Sequence, residues 1–492
     1  MCPQLNIGGT HFIMCQQLVF VAFTKYLTYS NEVNTSKEPK LKRSLTNRNI
    51  QLIALGGAIG TGLFMGSGST INQAGPSILL VYMVIGMFMY IIMRAMGEIL
   101  LADLSYKSFQ DFAERLIGPW AGFVTGWTYW FLWVVIAIGD MIVVTGYFNF
   151  WIDNLVISTI CTALLLLALV ASNLLTVRLF GEIEFWFALI KIVAIIALIL
   201  VGGGMVFYGF TGSNGVTASV TYLWDRGGFF PTGATGFFAA FSIAIYSFIG
   251  TELIGTTAAE THHPEKTVPK AINAVPIRIV LFYVLSLAVI MSITPWDLID
   301  PKQSPFVTIF VMAGLGPAAA IMNFVVLTSA ASSANSGIFS SSRMLFGLAQ
   351  SGQASSRFAR LSSHHVPAKA LLFVGVLTAL FVPILWLGGS ILEGFTLISS
   401  VAATLVLAIW GLILVSYLCY YKKFPETHKN ASYKLFGAAW TPWLGLGFIV
   451  GMCVVLGAYP DTRLALLLTP VWFILLGIAW AIRTKRVKAR HN

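Results

Sequence analysis

The first long apolar segment of the chain contains Gly56-Gly57-Ala58-Ile59-Gly60-Thr61-Gly62-Leu63-Phe64, followed by Gly66 and Gly68. Each glycine inside a helix costs about 1 kcal/mol relative to alanine, so this density predicts an interrupted helix. The alternative is close packing of a continuous helix through Gly62 and Gly66, which form a GxxxG motif. Packing alone does not require glycine on every face of a helix. We therefore favour the interruption.

A second copy of the pattern lies 190 residues further on, where Ile249-Gly250-Thr251-Glu252-Leu253 matches Ile59-Gly60-Thr61-Gly62-Leu63. The copies fall in the first and sixth apolar segments, so they cross a bilayer in opposite directions. This placement is typical of inverted repeats, in which two discontinuous helices meet at the bilayer midplane. We call residues 59–62 the first break and residues 248–252 the second break.

Composition agrees with a membrane protein. Of the 492 residues, 57% are hydrophobic and 10% are charged, whereas soluble domains carry about 25% charged residues. The net charge of +11 does not indicate nucleic-acid binding, because Lys and Arg cluster beside apolar segments. The five cysteines have no paired spacing, and no HExxH motif is present, so the sequence predicts neither a metal site, nor a cofactor, nor an enzyme.

About twelve apolar segments are long enough to cross a bilayer. They lie near residues 49–72, 77–101, 119–148, 156–177, 183–209, 235–258, 275–296, 316–346, 369–388, 394–421, 439–458 and 465–482. Basic residues are frequent before the first span, in alternate connections and after the last span. The other connections carry only Arg226, Lys302 and Arg463. The positive-inside rule therefore places both termini in the cytoplasm.

The two breaks predict a binding site for a small zwitterion. Where a half-helix begins, near Gly60 and Gly62, free N–H groups and a positive dipole end suit a carboxylate. Where half-helices end, near Ala58 and Phe248, unpaired carbonyls can accept hydrogen bonds from an ammonium group. An amino acid presents both charges. The predicted substrate-binding residues are Ala58, Ile59, Gly60, Thr61, Gly62, Phe248, Ile249, Gly250, Thr251 and Glu252.

Charged residues inside spans are functional candidates because they are costly in the bilayer. Lys191 lies about eight residues into the fifth predicted span and is the candidate for proton coupling; the alternative is a lysine that snorkels to the cytoplasmic surface. Glu252 could share the proton or simply satisfy the start of a helix. Asp140 could line the pocket or face outward.

Further polar residues could line the pocket or serve packing. Tyr129, Ser332 and Asn335 are candidate pocket side chains, with helix-to-helix hydrogen bonding as the alternative for the last two. Arg94 and Glu98 lie four residues apart on the second span, a spacing that predicts a structural ion pair.

Several motifs resemble the amino acid transporter family within the amino acid, polyamine and organocation superfamily. They are the run Asn47-Arg48-Asn49-Ile50-Gln51-Leu52-Ile53-Ala54, the turn Gly75-Pro76, Met93-Arg94-Ala95-Met96-Gly97-Glu98 and the stretch from Ser332 to Arg343. The similarity extends from about residue 41 to 485. It implies an all-α fold with ten helices in two inverted repeats of five, discontinuous first and sixth helices, and two peripheral helices.

The resemblance also divides the chain into regions. We interpret 1–44 as a loosely ordered cytoplasmic tail and 45–425 as the transport core. Residues 426–484 would form peripheral helices 11 and 12, and 485–492 a basic cytoplasmic tail.

Within this family, the motifs Gly118-Pro119-Trp120-Ala121-Gly122 and Gly255-Thr256-Thr257-Ala258-Ala259-Glu260-Thr261 resemble those of bacterial proton symporters of D-serine, D-alanine and glycine. This resemblance implies import of these small neutral amino acids across the bacterial inner membrane, with the amino acid, the proton and the lipid bilayer as partners. A lysine at the place of Lys191 resembles the residue that occupies a sodium site in sodium-driven relatives, which favours protons. The alternatives are another amino acid class, aromatic or branched, and a sensor that binds without transporting. The sequence leaves chirality preference and oligomeric state open.

Overall fold

The structure is a computed structural model that describes residues 59–106, 108–175, 177–213, 215–257, 263–387 and 389–491. Within these ranges it is helical, with one isolated bridge between Thr211 and Thr217. Eleven helical segments are long and apolar enough to cross a membrane. The prediction of an all-α, multi-pass membrane protein is therefore confirmed.

Twenty α-helices are numbered here in chain order. They are α1 (Thr61–Phe64), α2 (Gly66–Ala74), α3 (Ile78–Ala102), α4 (Phe109–Leu116), α5 (Pro119–Ile152), α6 (Leu155–Leu175), α7 (Val177–Phe207), α8 (Gly233–Ala244), α9 (Leu253–Thr257), α10 (Pro264–Asn273), α11 (Val275–Arg278), α12 (Ser286–Ile293), α13 (Pro305–Met312), α14 (Gly316–Gln350), α15 (Ala368–Thr378), α16 (Phe381–Leu387), α17 (Ile391–Lys423), α18 (Pro425–Asn430), α19 (Thr441–Ala458) and α20 (Pro460–His491). Single turns of 3₁₀-helix occur at Gly75–Ser77, Val220–Leu223, Ile245–Phe248, Trp296–Leu298 and Ser356–Ala359, and a π-helix occurs at Ile279–Leu285.

The count of eleven differs from the predicted twelve at the start of the chain. The first predicted span began near residue 49, and its part before residue 59 lies outside the described residues. Its remainder joins the second span in one segment, Gly66–Ala102, with a 3₁₀ turn at Gly75–Ser77. The inverted repeat of five helices and five helices stays a prediction.

The core is built around α5 and α14, which pack along each other. Small residues on α14 allow this close contact: a Cβ atom added at Gly337 would lie 3.2 Å from the carbonyl oxygen of Trp133 on α5. α5 also packs against α17, and most of its residues are buried. These long helices form the wall against which both breaks are positioned.

The outer helices present apolar side chains to the surroundings. Leu164 and Leu167 on α6, Leu200 on α7, Val454 on α19 and Ile474 on α20 are all more exposed than buried. In water such a surface would be unfavourable, whereas in a bilayer it contacts lipid tails. The helix α20 continues through the basic segment to His491.

The predicted ion pair between Arg94 and Glu98 is wrong. Glu98 accepts hydrogen bonds from the Tyr417 hydroxyl (2.7 Å) and the Leu435 amide (2.7 Å), and its Oε1 lies 2.5 Å from His428 Nδ1. The Arg94 guanidinium instead donates to the carbonyl oxygen of Lys434. Residues distant in sequence compete with Arg94 for the Glu98 carboxylate, and in the folded protein they are its partners. Glu98 thereby ties α3 to α17, to α18 and to the segment before α19.

Candidate functional site

The first break is the start of a helix with an open N-terminus. α1 begins at Thr61, and Gly60 precedes it with extended backbone (φ −131°, ψ −166°) and no side-chain cap. Helix start residues leave N–H groups without intrahelical partners. The helix thus begins within the stretch from Gly60 to Gly62 where the glycine pattern predicted a start. Ala58, also predicted to bind, lies outside the described residues.

The second break separates α8 from α9. α8 ends at Ala244, a 3₁₀ turn follows at Ile245–Phe248, and α9 begins only at Leu253. Gly250 has φ +100°, a backbone conformation that glycine adopts far more readily than other residues. The Phe248 carbonyl accepts a hydrogen bond from the Thr251 hydroxyl (2.8 Å), so part of the break is internally satisfied.

The first break contacts the 3₁₀ turn that leads into the second break. A Cβ atom added at Gly62 would lie 2.6 Å from Cα and 2.7 Å from N of Ser247, distances at which no side chain fits. Glycine is therefore required at this position so that the two backbones can approach. At Gly60 the nearest atom to an added Cβ is Ser333 Oγ at 3.8 Å. An added Cβ would make only an ordinary van der Waals contact there, so Gly60 borders space that a small group can occupy.

That space is a small cavity of about 20 Å³ between the breaks, α5 and α14. The breaks contribute Gly60, Thr61, Gly62 and Ile249, together with Tyr246 and Ser247 from the 3₁₀ turn; α5 contributes Trp133 and Ile136, and α14 contributes Ser333. A cavity of this size holds about one water molecule. A larger ligand enters only when the lining side chains move outward.

Lys191 lies behind the first break and not at the membrane surface. Its side chain is 1% exposed, and Nζ donates a hydrogen bond to the Ile59 carbonyl oxygen at 3.2 Å. Ser329 Oγ donates to the same oxygen at 3.3 Å. α7 begins at Val177, before the predicted start of this span near residue 183, so Lys191 lies further from the start of its helix than predicted. The snorkelling alternative is therefore wrong.

Asp140 is the carboxylate next to the first break. It is 0% exposed, and its Oδ1 accepts a hydrogen bond from Thr61 Oγ1 at 2.6 Å. Among the described residues, Oδ2 has no hydrogen-bond partner. Lys191 interacts with Asp140 electrostatically. The outward-facing alternative for Asp140 is thus excluded, and the first break lies between a buried cation and a buried anion.

The Glu252 side chain forms hydrogen bonds within the second break. Its two carboxylate oxygens accept hydrogen bonds from the Gly250 amide (3.1 and 3.0 Å), and the Tyr129 hydroxyl donates to Oε1 at 3.2 Å. Both carboxylate oxygens thus point back to the break and to α5. Phe248 stacks on the ring of Tyr283, with centroids 5.2 Å apart. These contacts stabilise the shape of the second break from behind the cavity.

Ser332 and Asn335 face a different polar cluster. Ser332 Oγ donates to Glu184 Oε1 at 2.6 Å, and Asn335 Oδ1 accepts from Asn173 Nδ2 at 2.6 Å. The neighbouring Ser333 lines the cavity instead. Successive residues of a helix point about 100° apart, since a turn contains 3.6 residues. Sequence reasoning missed Glu184, although its spacing of seven residues from Lys191 is a detectable signal.

Comparison with known proteins adds the family. The family model for amino acid permeases matches residues 49–492. The chain belongs to the amino acid permease family. This permease is 54% identical to the D-serine/D-alanine/glycine transporter of Escherichia coli (strain K12) over 451 residues, which cover 91% of this chain and 95% of the relative.

Two further relatives are similar over nearly the same length. An amino-acid permease of Bacillus subtilis (strain 168) is 45% identical over 457 residues, covering 93% of this permease and 98% of the relative. The aromatic amino acid transport protein of Escherichia coli (strain K12) is 40% identical over 450 residues, covering 92% and 97%. The resemblance noted from the motifs is confirmed, and this permease is a multi-pass membrane protein whose relatives are transporters.

Proposed function

We propose that this permease imports small neutral amino acids, namely glycine, D-alanine and D-serine, by proton symport through alternating access. The observation that carries the proposal is the cavity at the first break. A backbone N-terminus forms one side of it, and Trp133, Ile136 and Ile249 surround it. The backbone suits the carboxylate common to all amino acids, while bulky neighbours leave little room for a side chain.

The relative at 54% identity supports this substrate class, because it is a D-serine/D-alanine/glycine transporter. The relative at 40% identity, an aromatic amino acid transport protein, makes aromatic substrates the principal competing proposal. The cavity of about 20 Å³ favours substrates that need the smallest outward movement of the walls. Glycine and alanine meet that condition better than phenylalanine.

Lys191 is the proposed proton carrier. Its ammonium group donates to the Ile59 carbonyl, directly before the helix start that would hold the substrate carboxylate. Loss of the proton would remove the positive charge, weaken this hydrogen bond and so change the position of the first break. Proton release and substrate release would then be coupled through one carbonyl group. Glu252 remains a second candidate, although both its oxygens already accept hydrogen bonds.

We further propose the bacterial inner membrane as the location, with both termini in the cytoplasm. The distribution of Lys and Arg among the connections supports this orientation. Lipid, substrate and proton are then the partners that the function requires. Oligomeric state does not enter the proposal, because the cavity is lined within one chain.

Reconstitution into vesicles tests the function. Labelled glycine, D-alanine, L-alanine and L-phenylalanine are offered under an imposed pH gradient, and we expect accumulation of the small substrates and little of L-phenylalanine. Equal accumulation driven by sodium at symmetric pH would contradict proton coupling. Binding without any accumulation would indicate a sensor.

Lys191→Met tests the coupling residue. Methionine has a similar length and no proton, so we expect gradient-driven accumulation to be abolished. Unchanged accumulation in the variant would eliminate Lys191 as the coupling group. Exchange of labelled for unlabelled substrate, which needs no net proton movement, controls for correct folding.

A further inference from the structure

A second buried ionisable residue lies on the same helix as Lys191. Glu184 precedes Lys191 by seven residues on α7 and is also 1% exposed. Seven residues correspond to about two helical turns and about 10 Å along the axis. The two side chains therefore lie on one face of α7, and Glu184 is the nearer to Val177, the end that the charge distribution assigns to the cytoplasm.

Glu184 is only partly satisfied by its surroundings. Oε1 accepts a hydrogen bond from Ser332 Oγ at 2.6 Å, whereas Oε2 has no partner within the described ranges. Ser336 and Asn335 on α14 lie beside the same carboxylate, and Lys191 interacts with it electrostatically. A buried carboxylate is costly unless it is paired, hydrogen-bonded or protonated. The site therefore suits a group that gains and loses a proton.

The polar cluster extends from Glu184 across three helices. Asn173 on α6 donates to Asn335 on α14, and both amides retain one buried atom, Asn173 Oδ1 and Asn335 Nδ2, without a partner in the described part of the chain. A simple structural role needs one hydrogen bond between α7 and α14, and it does not explain several unsatisfied polar atoms grouped around an ionisable residue.

We infer that Glu184 accepts the proton from Lys191 on its way to the cytoplasm. An N–H bond of the Lys191 ammonium group breaks, an O–H bond forms on the Glu184 carboxylate, and both groups become neutral. Glu184 then releases the proton to cytoplasmic water and regains its negative charge. This inference rests on the proposed proton symport. It makes Glu184 a second proton-transfer residue, distinct from the substrate cavity.

The test compares Glu184→Gln with Glu184→Asp. Glutamine keeps the size of the side chain and can still accept a hydrogen bond from Ser332, but it cannot take up or release a proton. Aspartate keeps the ionisable group and is shorter. Glu182→Gln is the matched control, since Glu182 lies two residues away on the same helix and is exposed. Reconstituted variants are assayed for glycine accumulation under a pH gradient, for proton uptake with a pH-sensitive dye, and for substrate exchange.

We expect Glu184→Gln to lose accumulation and proton uptake while exchange persists, Glu184→Asp to retain part of both, and Glu182→Gln to match the wild type. A purely structural role predicts the opposite order, with glutamine at least as active as aspartate. That order, or full accumulation in Glu184→Gln, would overturn the inference. Failure of the wild type itself to accumulate under a pH gradient would instead refute the proposed function.

Discussion

At the residue scale, two glycines of the first break have different roles. Gly62 is required for contact between the first break and the 3₁₀ turn before the second break, because an added Cβ would collide with the Ser247 backbone. Gly60 borders the cavity, has backbone angles that other residues adopt, and leaves 3.8 Å to the nearest atom. The sequence motif alone does not distinguish their roles. Because their roles differ, the two glycines are expected to respond differently to substitution by alanine.

Gly60→Ala and Gly62→Ala test this difference. We expect Gly60→Ala to fold normally, and Gly62→Ala to lose about 1–3 kcal/mol of stability from overpacking. Thermal unfolding in detergent measures both variants. Gly60→Leu extends the series, since it fills the cavity and should abolish glycine binding. Equal stability of the two alanine variants would contradict the proposed contact, and full affinity in Gly60→Leu would contradict the carboxylate site.

The size limit of the cavity is tested at Ile136. Ile136→Ala removes one wall, and we expect it to raise uptake of larger amino acids relative to glycine. Hydrophobic pockets discriminate a methylene by about 1–3 kcal/mol, so the preference should shift by a measurable factor. Ile138→Ala is the control, as Ile138 is buried on the same helix outside the cavity lining. The same shift in the control would disprove a local effect.

At the element scale, Glu98 holds the ends of several helices together. It accepts from Tyr417 on α17 and from the Leu435 amide, and it contacts His428 on α18. All three partners lie between the C-terminal part of α17 and the start of α19. The helices α17 and α19 are thus positioned by one carboxylate on α3.

Glu98→Ala should therefore be strongly destabilising. It leaves the buried Leu435 amide and the Tyr417 hydroxyl unpaired, and each such group costs about 1–3 kcal/mol. Thermal unfolding in detergent measures the loss. Glu265→Ala is the control, because Glu265 is exposed and, among the described residues, its ion-pair partner is the exposed His263. Such a surface pair contributes at most about 1 kcal/mol. Similar unfolding temperatures for both variants would argue against a stabilising role for the hydrogen bonds of Glu98.

At the scale of the whole molecule, the distribution of basic residues predicts how the protein is oriented in the membrane. The proposed transport mechanism depends on that orientation. Import requires the cavity to open alternately to each side, and the proton path through Glu184 requires the Val177 end of α7 to be cytoplasmic. The connections that carry few basic residues must then face outward. An experiment on orientation therefore tests both proposals at once.

Cysteine labelling in intact cells checks the orientation. In a variant that lacks the native cysteines, we expect Lys302→Cys to react with a membrane-impermeant thiol reagent and Lys422→Cys to react only after permeabilisation. Both side chains are exposed, so access to the reagent is limited by the membrane alone. The reverse pattern would place the termini outside.

The sequence by itself determined the helical membrane fold and the family, and it predicted the interruption of the sixth span and a helix start near Gly60 to Gly62. These features depend on local properties, namely the length of apolar runs and the conformational freedom of glycine. It also identified Lys191 and Asp140 as candidates, because charge within a span is rare and visible in one dimension.

Only the tertiary structure decided which side chains share a cavity and which pair with each other. Ser333 lines the cavity while Ser332 contacts Glu184, and Glu98 binds residues more than 300 positions away instead of Arg94. Lys191 reaches the Ile59 carbonyl across 132 residues. Such contacts depend on how helices rotate and cross when they pack, which no local pattern specifies.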